Sequence, residues 1–205
     1  MPITKRPQSL LFVVICMGLL SLTTTNAISK EGSTKKEATS KNKPVKLKES
    51  KLGETRNVHT FGKTILCGQP KAADFAEAKK RGVKIILNVR TKREVKWNEK
   101  AAAEKIGLEF YHVPFGGNQL LNDKVFEKIL PLLANQKKKP LLFHCGSANR
   151  VGAVWAAHRA LNDGLTIEQA FKEAKEVGLR SPKYAKISKA YILKQQAKKK
   201  HHTKH

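Results

Sequence analysis

Residues 140–150 read Pro140-Leu141-Leu142-Phe143-His144-Cys145-Gly146-Ser147-Ala148-Asn149-Arg150, and the order of residue types in this stretch decides the fold. A short unbroken apolar run behind Pro140 is the pattern of a strand buried on both faces, as in a parallel sheet. The run delivers His144 and Cys145 to the end of that strand. Four small or polar residues then close on Arg150, which opens a helical pattern to residue 162 with Val151, Val154, Trp155 and Ala157 to pack and Asp163-Gly164 to stop it. In sheets of this kind ligands bind outside the carboxyl ends of the strands, which is where Cys145 stands.

The sequence on either side repeats the alternation. Val58 to Phe61, Thr64 to Cys67, Val83 to Val89 and Leu108 to Val113 read as strands. Residues 71–81, with Ala72, Phe75, Ala76 and Lys79 at helical spacing, residues 94–106, and Asp123 to Ala134 read as helices between them, with Asp123 as the cap of the last. Thr166 with Gln169 makes a capping box for a helix to Glu176, and Pro182 opens a final helix. Strands alternating with helices predict an α/β domain over residues 57–194, a mostly parallel sheet flanked by helices in three layers.

The ends of the 205-residue chain differ in character from this core, and much of the formal net charge of +25 lies in them. Residues 1–27 place Lys5 and Arg6 before an apolar run, Leu10 to Leu20, and close on polar residues before Ala27, the order of a secretory signal peptide. The run falls short of the roughly 20 residues that span a bilayer, so no transmembrane segment is expected after cleavage. Residues 28–56 and 195–205 are Lys-rich and poor in large apolar side chains, and are expected to be a disordered linker and a disordered tail. The reading is an exported protein, periplasmic or secreted, whose tails are solvated or rest on an anionic envelope surface. No aromatic-interleaved basic stripe accompanies the charge, so nucleic acid is not an expected partner. Cys67 and Cys145 remain after cleavage, and an exported compartment permits a disulfide between them. Cys67, at the end of its own strand, could then resolve an oxidised Cys145.

The loop itself is built as an anion cradle. The backbone N–H groups of Gly146, Ser147, Ala148 and Asn149 can turn inward, the helix N-terminus adds its positive end, and Arg150 offers a planar fork of donors. The same positive elements favour the thiolate, the nucleophilic form of a cysteine. The alternative at this point is a buried structural cysteine beside a loop.

His-Cys, a short loop and Arg at the start of a helix is similar to the signature of cysteine-dependent phosphatases. Gly68-Gln69-Pro70 before a helix, Leu87-Asn88-Val89-Arg90 with Glu94, His112-Val113-Pro114, and His144 to Ala153 together resemble the dual-specificity-phosphatase-like domain of beta-lactamase-hydrolase-like proteins, a domain also found fused to NAD kinases. The resemblance covers residues 57–180. It implies a phosphoric monoester hydrolase with Cys145 as nucleophile and site of a phosphocysteine. Arg150 would clamp oxygens, residues 146–149 would form the cradle, and His144 would tune the thiolate and fix the loop. An Arg90–Glu94 ion pair would support the site. No cofactor or metal is implied, and the partner is a phosphorylated substrate.

Three departures bear on this. Phosphatase loops usually hold five residues between Cys and Arg, whereas this one holds four. That length is typical of rhodanese-like sulfurtransferases, in which Cys145 would carry a persulfide taken from a sulfur donor. Val151 stands where phosphatases commonly place Ser or Thr. The segment Phe115-Gly116-Gly117-Asn118-Gln119 holds no carboxylic acid where a general acid is usual, and Asp123 is the nearest candidate. The readings that remain are a cysteine-dependent phosphatase, a sulfurtransferase and a non-catalytic anion-binding module.

Overall fold

The computed structural model describes residues 45–202, so the expected signal segment, the linker up to residue 44 and the last three residues lie outside it. The sheet has six strands, β1 (Leu47–Glu49), β2 (His59–Phe61), β3 (Thr64–Cys67), β4 (Ile85–Asn88), β5 (Glu109–His112) and β6 (Leu141–His144), in the order β1-β2-β3-β6-β4-β5. β6 lies parallel between β3 and β4, and β4 is parallel to β5, while β2 pairs antiparallel with β3 and β1 antiparallel with β2 at the edge of the sheet. β3, β6 and β4, the inner parallel strands, are buried along their whole length, which is why β4 and β6 read as continuous apolar runs.

Strand alternation divides the core. Ile65, Cys67, Ile86 and Leu142 face one side, where they meet Phe75 and Ala78 of α1 (Ala72–Lys80) and Ala103 of α2 (Glu99–Lys105). Leu66, Leu87, Phe143 and Cys145 belong to the other side, packed on α3 (Asp123–Ala134), α4 (Asn149–Leu161), α5 (Ile167–Val177) and α6 (Pro182–His202). α4 is the central helix, buried from Arg150 to Ala160. Its small residues make that depth feasible: a Cβ on Gly152 would stand 2.6 Å from the carbonyl oxygen of Ala174 on α5. Phe126 of α3 stacks on Tyr191 of α6 with ring centroids 4.2 Å apart, tying the last helix to this layer. The capping box of α5 is formed as expected, Thr166 Oγ1 accepting from Gln169 N at 3.2 Å and Gln169 Oε1 from Thr166 N at 3.0 Å.

Four expectations are corrected here. The domain begins before residue 57, because β1 pairs with β2 and Leu52 is fully buried. β1 is a Lys-bearing edge strand held by backbone pairing, with Leu47 alone packed against the core, so its three residues carry little apolar signal. The C-terminal segment is helical to residue 202, since Lys, Gln and Ala sustain a helix once Tyr191 and Ile192 have anchored it. α2 begins at Glu99 rather than near residue 94, capped by Asn98, whose Oδ1 accepts from Ala101 N at 3.0 Å. Finally, Asn122 and not Asp123 caps α3, accepting from Val125 N at 3.2 Å.

Candidate active site

The carboxyl end of β6 turns sharply into α4. Ala148, at the helix N-cap, takes the left-handed conformation with φ 63°, uncommon for a residue with a Cβ. Two external contacts hold this turn. Asn57 Nδ2 donates to the Ser147 carbonyl at 3.0 Å and Arg180 Nη2 to Ser147 Oγ at 2.7 Å. Asn149 Oδ1 in turn accepts from Arg180 N at 2.8 Å and Ser181 N at 3.1 Å, so the loop also fixes the start of α6.

Cys145, Ser147, Asn149 and Arg150 line one cavity of about 390 Å³ together with Thr91, Glu94, Gly116, Gly117 and Tyr184. Cys145 is at its floor, 1% exposed. The backbone N–H groups of the first turn of α4 have no acceptor within their own helix, and the helix's positive end faces the same space. Gly146 and Ala148 supply the backbone between the lining residues rather than lining it themselves.

Arg150 is held from the opposite wall. Its Nη1 and Nη2 donate to Glu94 Oε2 and Oε1 at 2.8 and 2.5 Å, and Nη1 also reaches the Phe115 carbonyl at 2.8 Å. These contacts occupy Nη1 and one hydrogen of Nη2, leaving Nε–H and the second Nη2 hydrogen for an anion beside Cys145. Burial works against the guanidinium charge, but Glu94 and Cys145 outweigh it and raise its pKa. Reciprocally, the Arg150 hydrogen bond is the largest cause that holds the Glu94 carboxyl down at about 2. Gly116, at φ 128°, is required here, since a Cβ on it would lie 2.8 Å from Arg150 Nη1.

The expected Arg90–Glu94 ion pair is therefore replaced by Arg150–Glu94. Thr91 N and Oγ1 bind Glu94 Oε2 at 2.9 and 2.8 Å and turn the carboxylate inward. Arg90 instead donates to Gln69 Oε1 and the Glu94 carbonyl oxygen, and stands 3.8 Å from Glu99.

His144 does not line the cavity. Alternation along β6 places it on the α1–α2 face, fully buried, with Nε2 3.2 Å from Glu99 Oε2. Glu99, 2% exposed, also accepts from Gln69 Nε2 at 2.8 Å and Asn88 Nδ2 at 2.6 Å. Burial opposes its ionisation, yet His144, Gln69 and Arg90 bring its pKa below the ordinary value. This cluster braces the end of β6 from beneath and explains why Gln69 and Asn88 accompany the cysteine loop. Cys67 shares that face, whereas Cys145 faces the other, and both are free thiols. Burial raises the Cys67 thiol pKa well above its ordinary value.

Asp123 is also outside the cavity. It is half-buried on the first turn of α3, where it accepts from Lys194 Nζ at 2.7 Å. Asp123→Asn is accordingly expected to change turnover of an aryl phosphate by less than about tenfold. A larger loss that deepened with poorer leaving groups in steady-state assays would place Asp123 in the chemistry.

The cavity has two members that sequence reasoning missed, Thr91, described above, and Tyr184. Tyr184 is brought in by α6 and set edge-on against Phe115 with ring centroids 5.9 Å apart. Burial raises its phenol pKa, so it keeps its proton at neutral pH.

Residues 62–162 match the family model described as beta-lactamase hydrolase-like protein, phosphatase-like domain. The fold is that of cysteine-based phosphatases. TpbA of P. aeruginosa in complex with pTyr superposes with a TM-score of 0.56 at 18% identity, over 74% of this chain and 90% of that one. The core catalytic domain of the PP-IP phosphatase SIW14 from S. cerevisiae, in complex with citrate, gives 0.56 at 19% identity, over 71% and 93%. PTPMT1 in complex with PI(5)P gives 0.57 at 15% identity, over 66% and 94%. No curated protein matches the chain in sequence.

Proposed function

We propose that this protein is a cysteine-dependent phosphatase acting through a phosphocysteine at Cys145. The observation that carries the reading is the meeting of Cys145, the N-terminus of α4 and the free donors of Arg150 in one cavity. In the first step the thiolate forms an S–P bond as the P–O bond to the leaving group breaks. In the second, water attacks phosphorus, the S–P bond breaks and inorganic phosphate leaves. Arg150 and the first-turn N–H groups stabilise the charge on the transferring oxygens in both steps.

The supply of protons limits the substrate. Glu94 is the only carboxylate lining the cavity among the described residues, and Arg150 keeps it ionised. A group with a pKa near 2 has no proton to give at neutral pH. The site therefore suits esters or anhydrides whose leaving group departs with little protonation, since the lining O–H groups are the weakly acidic hydroxyls of Tyr184, Ser147 and Thr91. The short loop supports a second reading, sulfur transfer through a Cys145 persulfide, which needs no general acid.

The test is to assay the protein with an aryl phosphate and, separately, with thiosulfate plus cyanide, alongside Cys145→Ser. Phosphate release that vanishes in Cys145→Ser is expected. Cys145-dependent thiocyanate formation without phosphate release would move the protein to the sulfurtransferases, and no Cys145-dependent turnover of either kind would leave an anion-binding module.

A further inference from the structure

Beside the Cys145 cavity lies another of about 370 Å³, lined by Thr91, Lys92, Arg93, Pro114, Gly116, Gly117, Asn118 and Gln119. The two share Thr91, Gly116 and Gly117, so they are adjoining compartments of one groove across the carboxyl edge of the sheet. One turn supplies both with charge. Residues 91–94 close on themselves, Glu94 N donating to the Thr91 carbonyl at 3.0 Å. The ends of the turn, Thr91 and Glu94, face the Cys145 compartment, while its tip, Lys92 and Arg93, lines the neighbour.

The charge of the groove is lopsided. Lys92 and Arg93 are exposed, and among the described residues neither makes an ion pair. No carboxylate lines the second compartment. The one acidic group in the first, Glu94, is committed to Arg150. The opposite wall is the tight turn in which Gly116 N donates to the Gln119 carbonyl at 2.6 Å and Gln119 N to the Gly116 carbonyl at 3.0 Å. Asn118 and Gln119 of that turn line the compartment, and each carries a side-chain amide able to donate. Two cations without an ion pair and two amide side chains lining one compartment are complementary to an anion.

We infer that this second compartment is an anion subsite, and that the substrate carries a second phosphate or equally charged group beside the one attacked by Cys145. The inference rests on the phosphatase reading of Cys145. A ligand held at Cys145 presents its second anion to Lys92 and Arg93 without further loss of translational freedom, so the second contact adds affinity as an intramolecular one.

Calorimetry on the Cys145→Ser protein, which cannot turn over, tests this with a short and a longer alkanediol bisphosphate and with propyl phosphate as the single-phosphate control. At least one bisphosphate is expected to bind about tenfold tighter or more than propyl phosphate, and the advantage should shrink to about twofold in Cys145→Ser carrying Lys92→Gln and Arg93→Gln. Propyl phosphate binding with no bisphosphate advantage would overturn the subsite and leave the phosphatase reading standing. An advantage that survived Lys92→Gln and Arg93→Gln would also overturn it. Binding of neither class would overturn the subsite together with the reading beneath it.

Discussion

Arg150→Lys is expected to lower kcat/KM for an aryl phosphate by roughly 10²–10³-fold, the scale of losing one preorganised donor to a developing oxyanion. A lysine ammonium can reach Glu94 or the Phe115 carbonyl as a point charge. It cannot hold both while presenting two coplanar donors to an anion, as the guanidinium does. The loss should appear in a folded protein, because Cys145, the α4 start and the Asn57 and Arg180 contacts to Ser147 do not depend on the fork. Circular dichroism and thermal melting measured in parallel separate lost chemistry from lost structure. The exchange should also loosen the grip on Glu94, whose carboxyl is held at about 2 chiefly by Arg150, and let its pKa climb toward the ordinary range. Near-wild-type turnover by folded Arg150→Lys would remove Arg150 from the anion site.

The second large effect is on stability. Glu99→Ala is expected to destabilise the fold by about 3–5 kcal/mol, the usual cost of removing one partner from a buried charged cluster. The substitution itself suits a helix, but it strands the Asn88 and Gln69 amides and leaves Arg90 and His144 without their shared carboxylate. Chemical denaturation gives the magnitude, and its pH dependence tests the cause. The Glu99 pKa is lowered in the folded state, so its contribution is present above the ordinary carboxylate range and is lost as pH falls through the depressed folded value. The wild type should therefore lose stability on acidification more steeply than Glu99→Ala. A loss below about 1 kcal/mol with parallel acid profiles would show that the cluster is not what braces the end of β6.

What could be read from the sequence was what is local. The apolar run of β6, the loop to Arg150 and the capping box at Thr166 each declare themselves within a few residues, because strand burial and helix capping act over that range. The partner of Arg150 was not legible, since Glu94 lies 56 positions away and reaches it only when β4 and β6 lie side by side. Glu99 was hidden differently. It sits in a Lys- and Glu-rich helix that reads as solvated surface, and its burial comes from how α2 settles over the end of β6. Tyr184 arrives from the last helix, positioned through Asn149 and Ser181, a link with no footprint in spacing. β1 was hidden for a further reason, because a three-residue edge strand held by backbone hydrogen bonds shows only one core-packed side chain, Leu47, too little for a periodic pattern.

The central claim is a covalent bond between phosphorus and Cys145. Its most direct test is to mix the protein with an aryl phosphate, quench with acid within the first turnover, and identify the modified residue by mass spectrometry of the peptide that contains Cys145 and Arg150. The account predicts a phosphoryl group on Cys145 that forms before steady-state phosphate release, is absent in Cys145→Ser and accumulates when the second, hydrolytic step is slow. Aryl phosphate turnover with no phosphocysteine trapped at any quench time, or a Cys145 that takes up sulfur from thiosulfate and never phosphate, would contradict it.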